Sequence, residues 1–266
     1  MPKTPETREV ACLLETRWGL QAPEVAFLRE GGSYAYRVRA AGEELLCKLI
    51  KPAFARTARQ SLAIMRFLTE RGFPAQRVQP ARSGELCEGW QSDGILYTAA
   101  LMTYLPGREM EMGEQTEAVG ALTGRLHALL RDGPAPLPTQ GKAFFIDRYV
   151  DVLRAKGCDA DTLARYAALG DALWAQVDGL PQGVCHGDLH RGNWLLTPDG
   201  ALSLLDFDTA CVASPMFDIM VFCDSTDYFR YQPEGLPRTC EVLAAFLRGY
   251  RREAPLSERE IRALFP

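Results

Sequence analysis

The sequence changes character at Pro106-Gly107, and this change constrains the fold more than any other feature. Before it, short runs of β-branched and aromatic residues alternate with glycine turns, a pattern typical of antiparallel strands. After it, apolar residues recur every three or four positions over long segments, which is typical of amphipathic helices. We therefore predict a two-lobed α+β protein. Its predicted parts are a β-rich N-terminal lobe at 1–101, a hinge at 102–107 and a helical C-terminal lobe at 108–266.

The order of elements follows from local signals within each lobe. Thr4 is a favoured N-cap residue and Pro5 a favoured first helical residue, so a helix is predicted to open the chain. Further elements of the N-terminal lobe are strands at 25–29, 34–40 and 44–50, a helix at 53–71 and two or three strands within 77–101. In the C-terminal lobe, helices are predicted at 114–131, 144–156, 159–177, 215–224, 238–252 and 256–263, with short strands at 183–186, 193–196 and 202–206.

The composition and charge exclude several classes of protein. The chain has 266 residues, of which 47% are apolar and 24% charged, as is usual for a globular protein with a sizeable core. The net charge is −4; the first 100 residues carry 14 basic and 11 acidic side chains, and the remainder carry 16 and 23. Neither part has the basic surplus expected of a nucleic-acid-binding protein, whereas the acidic part could attract a cationic small molecule.

The chain shows none of the sequence signals of a membrane or secreted protein. No apolar run approaches the ~18 residues that span a bilayer, and the N-terminus has no apolar signal segment. The 8 cysteines are scattered without a C-x-x-C pair, which favours reduced thiols over a disulfide framework or a zinc site. We expect a soluble, cytoplasmic protein that does not bind a membrane.

The strongest chemical signal is the segment His186–Asn193, HGDLHRGN, followed by Asp206 at the end of an apolar run. Phosphoryl transfer requires one carboxylate that orients a hydroxyl and accepts its proton, together with oxygen ligands that hold Mg²⁺ against phosphate. Asp188 suits the first task, and Asn193 and Asp206 suit the second. A hairpin between Asn193 and Asp206 is predicted to bring them together. The alternative is a turn in which these residues only serve backbone geometry.

Two features of the N-terminal lobe are consistent with a phosphate site. Gly31-Gly32-Ser33 precedes a predicted strand, so its backbone N–H groups could approach phosphate, although most glycine pairs are simply turns. Lys48 lies in an apolar strand, where an unpaired charge is costly and where an anionic ligand would neutralise it. The alternative for Lys48 is the solvent-exposed face of an edge strand.

Together these segments resemble the aminoglycoside phosphotransferase and choline kinase-like family over about residues 25–250. The segments that carry the resemblance are HGDLHRGNWLL, LLDFD, GGSYAYRV, LLCKLI, ALMTYLPG and LTGRLHALL. The resemblance implies a protein-kinase-like fold. It also implies Mg²⁺-dependent transfer of the γ-phosphoryl group of ATP or GTP to a hydroxyl.

The resemblance further implies where the nucleotide binds. It would lie between the lobes, with its base near Met102 and Tyr104 and its phosphates near Ser33 and Lys48. His190 is assigned to the nucleotide phosphates, with simple packing as the alternative.

The chain departs from this family at the helix that follows Lys48. Relatives usually pair the strand lysine with a glutamate in the middle of that helix. Residues 53–69 contain no acid, and Ser61 stands near the position of the glutamate, while Glu70 lies at the helix end. The partner of Lys48 is therefore open: another acid, or phosphate alone.

Several other polar residues have structural interpretations. His127 is predicted to be a hydrogen-bonded, partly buried helix residue, and His186 to orient the catalytic loop. Asp218 is predicted to anchor the next helix against that loop. Asp208 either assists the metal or forms a salt bridge nearby.

The acceptor is the least constrained part of the prediction. Asp224, Asp227 and Glu234 favour a cationic acceptor such as an aminoglycoside or an amino alcohol, with a solvated acidic loop as the alternative. We predict a Mg²⁺-dependent small-molecule kinase that phosphorylates a hydroxyl of a metabolite or an antibiotic. One alternative is a serine/threonine protein kinase, although only about ten residues separate Asp206 from the next helix. The other is a non-catalytic nucleotide-binding regulator, which the missing glutamate suggests.

Overall fold

The computed structural model describes residues 4–134, 137–227, 230 and 232–264, which group into two compact units. Unit 1 consists of the described residues up to Met110 together with Arg191–Thr209. Unit 2 consists of the described residues of Glu111–His190 and those from Ala210 onward. From sequence, residues 191–209 are expected in the C-terminal lobe, whereas by its contacts this segment packs within unit 1. The lobe boundaries themselves stay a prediction.

Helices and strands alternate along the chain in the predicted order. The helices are α1 (Thr7–Arg17), α2 (Ala55–Thr69), α3 (Thr116–Leu130), α4 (Arg148–Ala155), α5 (Ala160–Val177), α6 (Met216–Cys223), α7 (Gly235–Glu253) and α8 (Glu258–Arg262). The strands are β1 (Glu24–Glu30), β2 (Ser33–Ala40), β3 (Glu43–Ile50), β4 (Val78–Gln79), β5 (Glu88–Ser92), β6 (Ile95–Thr103), β7 (Arg108–Glu109), β8 (Gly183–Cys185), β9 (Trp194–Leu196), β10 (Leu202–Leu204) and β11 (Cys211–Ala213). The fold is α+β, with a sheet in the N-terminal region and helices in the C-terminal region.

The start of α1 corrects one expectation. Glu6, not Thr4, is the N-cap residue, and the helix begins at Thr7. The Glu6 N–H donates to the Glu9 carboxylate at 2.9 Å, which satisfies one of the N–H groups exposed at the start of the helix.

An antiparallel sheet builds the core of unit 1. Its strand order is β1-β2-β3-β6-β4, and β5 also pairs with β6. Lys48 of β3 therefore lies between two strands, opposite Ala35 of β2 and Ala100 of β6, which excludes the edge-strand alternative. Because side chains alternate along a strand, its neighbours in β3 face the other side of the sheet. There they join an apolar cluster with α1 that includes Leu45, Cys47 and Leu49.

A small hairpin also belongs to unit 1. Strands β9 and β10 pair antiparallel, with Trp194 opposite Leu204, and β7 lies on the other side of β9. The Leu205 N–H donates to the Asn193 carbonyl at 2.8 Å, and this hydrogen bond continues the pairing of the two strands by one residue beyond Trp194 and Leu204. The hairpin predicted between Asn193 and Asp206 is present.

In unit 2, α3 and α7 pack with their backbones close together. A Cβ atom at Gly120 would overlap the carbonyl oxygen of Phe246, and one at Gly249 would overlap that of Glu117. Both obstacles are backbone atoms, so only glycine permits this approach. The crossing brings His127 of α3 to Tyr250 of α7.

The remaining strand pair of unit 2 is β8 with β11. Cys185 lies opposite Cys211 in this pair, and both are free thiols, as are the other cysteines, in agreement with the prediction. Among the described residues, no helix is both long enough and apolar enough to cross a membrane.

Candidate active site

Lys48 is a buried lysine with an acidic partner. The residue is only 8% exposed, and its Nζ lies 3.3 Å from Oδ1 of Asp206. The alanines opposite it in β2 and β6 leave room for its long side chain. A buried ammonium needs a counter-charge because leaving water is costly. The partner that the sequence left open is thus Asp206.

Asp206 and Asn193 lie at the same end of the β9–β10 hairpin. Asn193 directly precedes β9, and Asp206 follows β10 by two residues. Asp206 has a φ of 61°, a left-handed conformation that is unfavourable for a residue with a side chain. Such conformations persist where the surrounding structure enforces them and are concentrated at functional sites. The hairpin therefore supplies a carboxylate and an amide near one point, at a conformational cost.

The Lys48 ammonium and the Asp206 carboxylate face a cavity of about 340 Å³ within unit 1. Lys48, Asp206 and Asp208 line part of it, and Gly31–Ser33 lines another part. The ring of Phe54 lies beside Gly32, where an added Cβ atom would be 3.3 Å from the ring. An ammonium, a glycine turn and carboxylates around one cavity suit a phosphate group bound together with a cation.

Three carboxylates (Glu30, Asp206 and Asp208) and two cationic side chains (Arg29 and Lys48) line this cavity, which gives it an excess of negative charge. Burial raises the pKa of Asp208, the positive charge of Lys48 opposes this, and the charge of Asp206 raises the pKa further. Like charges this close favour the binding of a cation. Carboxylate and amide oxygens are the ligands that Mg²⁺ takes in proteins. The donor set of Asp206, Asp208 and Asn193 therefore fits a divalent cation.

The two hinge residues lie elsewhere in unit 1. Met102 is fully buried in β6, between β3 and β4. The Tyr104 N–H donates to the Glu44 carbonyl at 3.0 Å, and the Arg37 guanidinium carbon lies 4.7 Å from the Tyr104 ring centre. Neither Met102 nor Tyr104 lines the cavity described above. Their assignment to a nucleotide base stays a prediction.

In unit 2, a buried carboxylate holds the segment that follows β8. Asp218 of α6 accepts hydrogen bonds from the His186 N–H at 2.6 Å and the Gly187 N–H at 2.9 Å. His127 Nε2 lies 3.0 Å from Asp218, and its Nδ1 lies 2.8 Å from the hydroxyl of Tyr250. His127 Nε2 donates to Asp218 and its Nδ1 pairs with the Tyr250 hydroxyl, so every group in this network has a partner. The structural interpretations of His127 and Asp218 are confirmed.

The charge of Asp218 is stabilised despite its burial. Burial raises its pKa, but the His127 hydrogen bond, the charges of His127 and His186 and the Gly187 N–H together hold the pKa below its ordinary value. Asp218 is therefore ionised near neutral pH and remains an acceptor for the loop.

Asp188 combines a fixed backbone with an accessible side chain. Its N–H donates to His186 Nδ1 at 3.3 Å, and its carbonyl accepts from the His190 N–H at 2.8 Å. The following residue, Leu189, is fully buried. The side chain of Asp188 is 49% exposed, and its Oδ2 lies 3.6 Å from Nε2 of His190. A carboxylate in this setting can meet a substrate hydroxyl and accept its proton.

The structure thus distributes the predicted site residues over several places. Ser33, Lys48 and Asp206 line one cavity of unit 1, Asn193 stands at the adjoining hairpin, Met102 and Tyr104 lie in and after β6, and Asp188 and His190 belong to unit 2. Sequence reasoning left Asp208 open and gave no role to Phe54. The only sequence signal for Phe54 is its place four residues after the end of β3, the strand that carries Lys48.

Comparison with known proteins gives consistent results. A family model described as "Phosphotransferase enzyme family" matches residues 24–261. An uncharacterized protein of Deinococcus radiodurans is 28% identical over 96% of this chain and 76% of its own length. A homoserine kinase of Bradyrhizobium sp. is 28% identical over 76% of this chain, and the match spans only 61% of that enzyme's length.

Solved structures show the same fold. An amicoumacin kinase in complex with AMP-PNP, Ca²⁺ and Ami superposes with a TM-score of 0.75 at 20% identity, covering 95% of this chain and 79% of that chain. A microcompartment-associated aminopropanol kinase superposes with a TM-score of 0.76 at 16% identity, covering 97% of this chain and 84% of that chain. At these identities the likeness concerns the fold.

Proposed function

Because the chain belongs to the phosphotransferase enzyme family, we propose that it transfers the γ-phosphoryl group of ATP or GTP to a hydroxyl of a small molecule in a Mg²⁺-dependent reaction. The observation that carries this proposal is the cavity of unit 1, where Lys48 and Asp206 lie 3.3 Å apart beside the glycine pair. The lysine and the glycine turn suit the phosphates, and the carboxylates suit the cation.

The nucleotide is bound through residues of unit 1. Lys48 contacts the α- and β-phosphates, and the backbone at Ser33 covers them. Met102 and Tyr104 contact the base. Binding energy from these contacts holds the γ-phosphate in a reactive orientation, which is the main source of catalysis in phosphoryl transfer.

Asp206 and Asn193 would hold Mg²⁺. When bound, this ion neutralises charge on the phosphate oxygens. Asp208, on the turn that directly follows Asp206, adds to the local negative charge that attracts this ion.

Asp188 acts on the acceptor. Its carboxylate orients the acceptor hydroxyl and takes its proton as the new oxygen–phosphorus bond forms. The bond between the γ-phosphorus and the bridging oxygen breaks, and the nucleoside diphosphate leaves with that oxygen. The network around Asp218 fixes the backbone on which Asp188 stands.

The acceptor is proposed to be a small amino alcohol. Two proteins similar to this chain are named for such substrates, homoserine and aminopropanol, which both carry an amine and a hydroxyl. The acidic loop is a weaker argument for a cationic acceptor than the sequence suggested. Both Asp224 and Asp227 accept local hydrogen bonds, from Thr226 and from the Arg230 N–H respectively, so they stabilise turns.

A phosphoryl-transfer screen tests the proposal. The chain is incubated with Mg²⁺ and ATP or GTP and with amino alcohols, sugars, aminoglycosides, macrolides or a generic protein, and the phosphorylated product is identified by mass spectrometry. We expect transfer to an amino alcohol. Transfer to the protein alone would support the protein-kinase alternative. Nucleotide binding without hydrolysis or transfer would support the regulator.

The variant Asp188→Asn separates binding from chemistry. We expect turnover to fall about 10²–10⁴-fold, the usual contribution of a general base, while nucleotide affinity stays nearly unchanged. Because the Asp188 side chain is half exposed, the thermal midpoint should also be preserved. Undiminished turnover would remove Asp188 from its proposed role.

A further inference from the structure

The glycine turn beside the cavity, Gly31–Ser33, is not explained by its backbone conformation. Neither Gly31 nor Gly32 has a φ in the left-handed region that favours glycine. Among the described residues, a Cβ atom at Gly31 would meet nothing within 4 Å, whereas a Cβ atom at Gly32 would lie 3.3 Å from the ring of Phe54. At Gly32 the missing side chain therefore lets an aromatic ring lie directly beside the turn.

The segment that follows β3 also holds the glycine turn at other points. The Lys51 N–H donates to the Gly32 carbonyl at 3.1 Å. The Nζ atom of Lys51 lies 2.7 Å from Oε1 of Glu30 and 4.8 Å from the centre of the Tyr34 ring. Glu30 and Tyr34 are the residues on either side of the turn. Residues 51–54 thus contact the turn itself and fix both of its ends.

The side chain of Phe54 lies at the cavity and not in the core. It lines the cavity together with Lys48 and Asp206, and it is 46% exposed. A large apolar side chain gains less from leaving water when nearly half of it stays exposed. Its place beside Gly32 and the cavity therefore indicates a role at the site more than a role in stability.

A glycine turn at a phosphate site needs contacts that hold it in place. Glycine loses more conformational freedom on ordering than any other residue. If a ligand had to order the turn, the cost of ordering would lower its affinity. Contacts that order the turn before the ligand arrives remove this cost from binding.

We propose that Phe54 is a positioning residue, whose ring holds the glycine turn in the conformation that binds the nucleotide phosphates because Gly32 has no side chain to keep the ring away. The part given to the turn rests on the proposed function. The ring acts through the turn and takes no part in the transfer of the phosphoryl group.

Calorimetric titration with AMP-PNP or GMP-PNP and Mg²⁺ tests the role of the ring. Phe54→Ala should weaken the affinity for the nucleotide that the wild-type chain binds by about tenfold. Because the side chain is nearly half exposed, the thermal midpoint should shift by less than about 2 °C. Phe54→Tyr keeps the ring and should stay within about twofold of the wild-type affinity.

Leu28→Ala is the matched control for the loss of an exposed apolar side chain. Leu28 is 44% exposed, belongs to unit 1 and does not line the cavity, so its removal should leave nucleotide affinity unchanged. An equal loss of affinity in Leu28→Ala and Phe54→Ala would overturn the proposal. A fall of the thermal midpoint by more than about 5 °C in Phe54→Ala would also overturn it, since Phe54 would then serve the fold.

A double-mutant cycle tests whether Phe54 acts through Gly32. In the wild-type background, Gly32→Ala displaces the ring and should weaken nucleotide affinity by about tenfold. In a Phe54→Ala background no ring has to move, so the same substitution should cost less than about twofold. Gly31→Ala is the control, because its effect should be equal in both backgrounds. An equal loss for Gly32→Ala in both backgrounds would contradict the proposal.

These binding measurements separate the proposal from the proposed function because they require no transfer. If affinity depends on Phe54 and Gly32 as described but no acceptor in the panel is phosphorylated, the positioning role stands and the phosphotransferase proposal fails. If transfer occurs and Phe54→Ala binds nucleotide as tightly as the wild type, the enzyme assignment stands and the role of Phe54 is wrong. A wild-type chain that binds neither nucleotide would overturn both.

Discussion

The acidic residues of the candidate site differ in how their negative charge is neutralised in unit 1 and in unit 2. In unit 2, Asp218 is fully buried and receives hydrogen bonds from backbone N–H groups and from His127. In unit 1, Asp206 and Asp208 line one cavity together with Lys48, and Lys48 contacts Asp206. The first carboxylate is neutralised by the protein itself, whereas the pair carries charge that a ligand would neutralise.

This difference shows which acid serves structure and which serves binding. Every polar group in the Asp218 network has a hydrogen-bond partner, and the network fixes the backbone of the loop that carries Asp188. The Asp206 segment instead combines a left-handed backbone with like charges, and both features cost free energy. Such a cost is usual at sites where stability is exchanged for ligand binding.

The largest effect is expected for Asp218→Ala. It leaves the N–H groups of His186 and Gly187 and the ring of His127 without their buried acceptor. Because unpaired buried polar groups are costly, the free energy of unfolding should fall by about 3–5 kcal/mol. Urea denaturation followed by circular dichroism measures this. A loss below about 1 kcal/mol would contradict the structural role that the comparison gives Asp218.

Acid titration of the same variant checks the cause. The pKa of Asp218 is lower in the folded chain than its ordinary value, so its stabilisation is present above the unfolded pKa of about 3.8. As the pH falls below 3.8 and through the folded pKa, that contribution is lost. The difference in unfolding free energy between wild type and Asp218→Ala should therefore narrow in this range and stay constant from pH 5 to 7.

Gly249→Ala is expected to have a smaller, purely steric effect on the same network. The added methyl group would overlap the Glu117 carbonyl, so α7 must move away from α3 and carry Tyr250 away from His127. Overpacking of this kind costs about 1–3 kcal/mol. Gly141→Ala is the matched control, since a Cβ atom there meets nothing within 4 Å. Equal denaturation midpoints for both variants would show that the helix crossing is looser than the structure indicates.

Most of the fold could be predicted from the sequence, because its elements have strong local signals. The glycine turns and alternating apolar residues gave strands β1 to β3 within two residues of their observed ends, and the helical periodicity gave α3 and α5 as closely. The predicted N-cap of α1, Thr4, was wrong because the helix begins at Thr7, where Glu6 is the N-cap and the Glu9 carboxylate accepts from its N–H. The membership of residues 191–209 in unit 1 has no local signal, since it depends on long-range packing.

The site was predictable where one segment carries the chemistry. Spacing alone gave Asp188, Asn193 and Asp206 as candidates, and the hairpin between the last two is present. The partner of Lys48 was not predictable, because it lies 158 positions away in the chain and replaces a residue that was expected on α2.

The smallest effect on stability is expected for Asp206→Asn, and it sharpens the comparison most. Removing this charge weakens the contact with Lys48 but also relieves repulsion with Asp208, so the two changes nearly cancel and the thermal midpoint should shift by less than about 2 °C. Binding of Mn²⁺ with ATP, measured by calorimetry, should fall at least tenfold because an oxygen ligand loses its charge. A midpoint loss as large as that of Asp218→Ala would mean that Asp206, too, serves mainly to hold the fold, and the contrast between the two acidic groups would disappear.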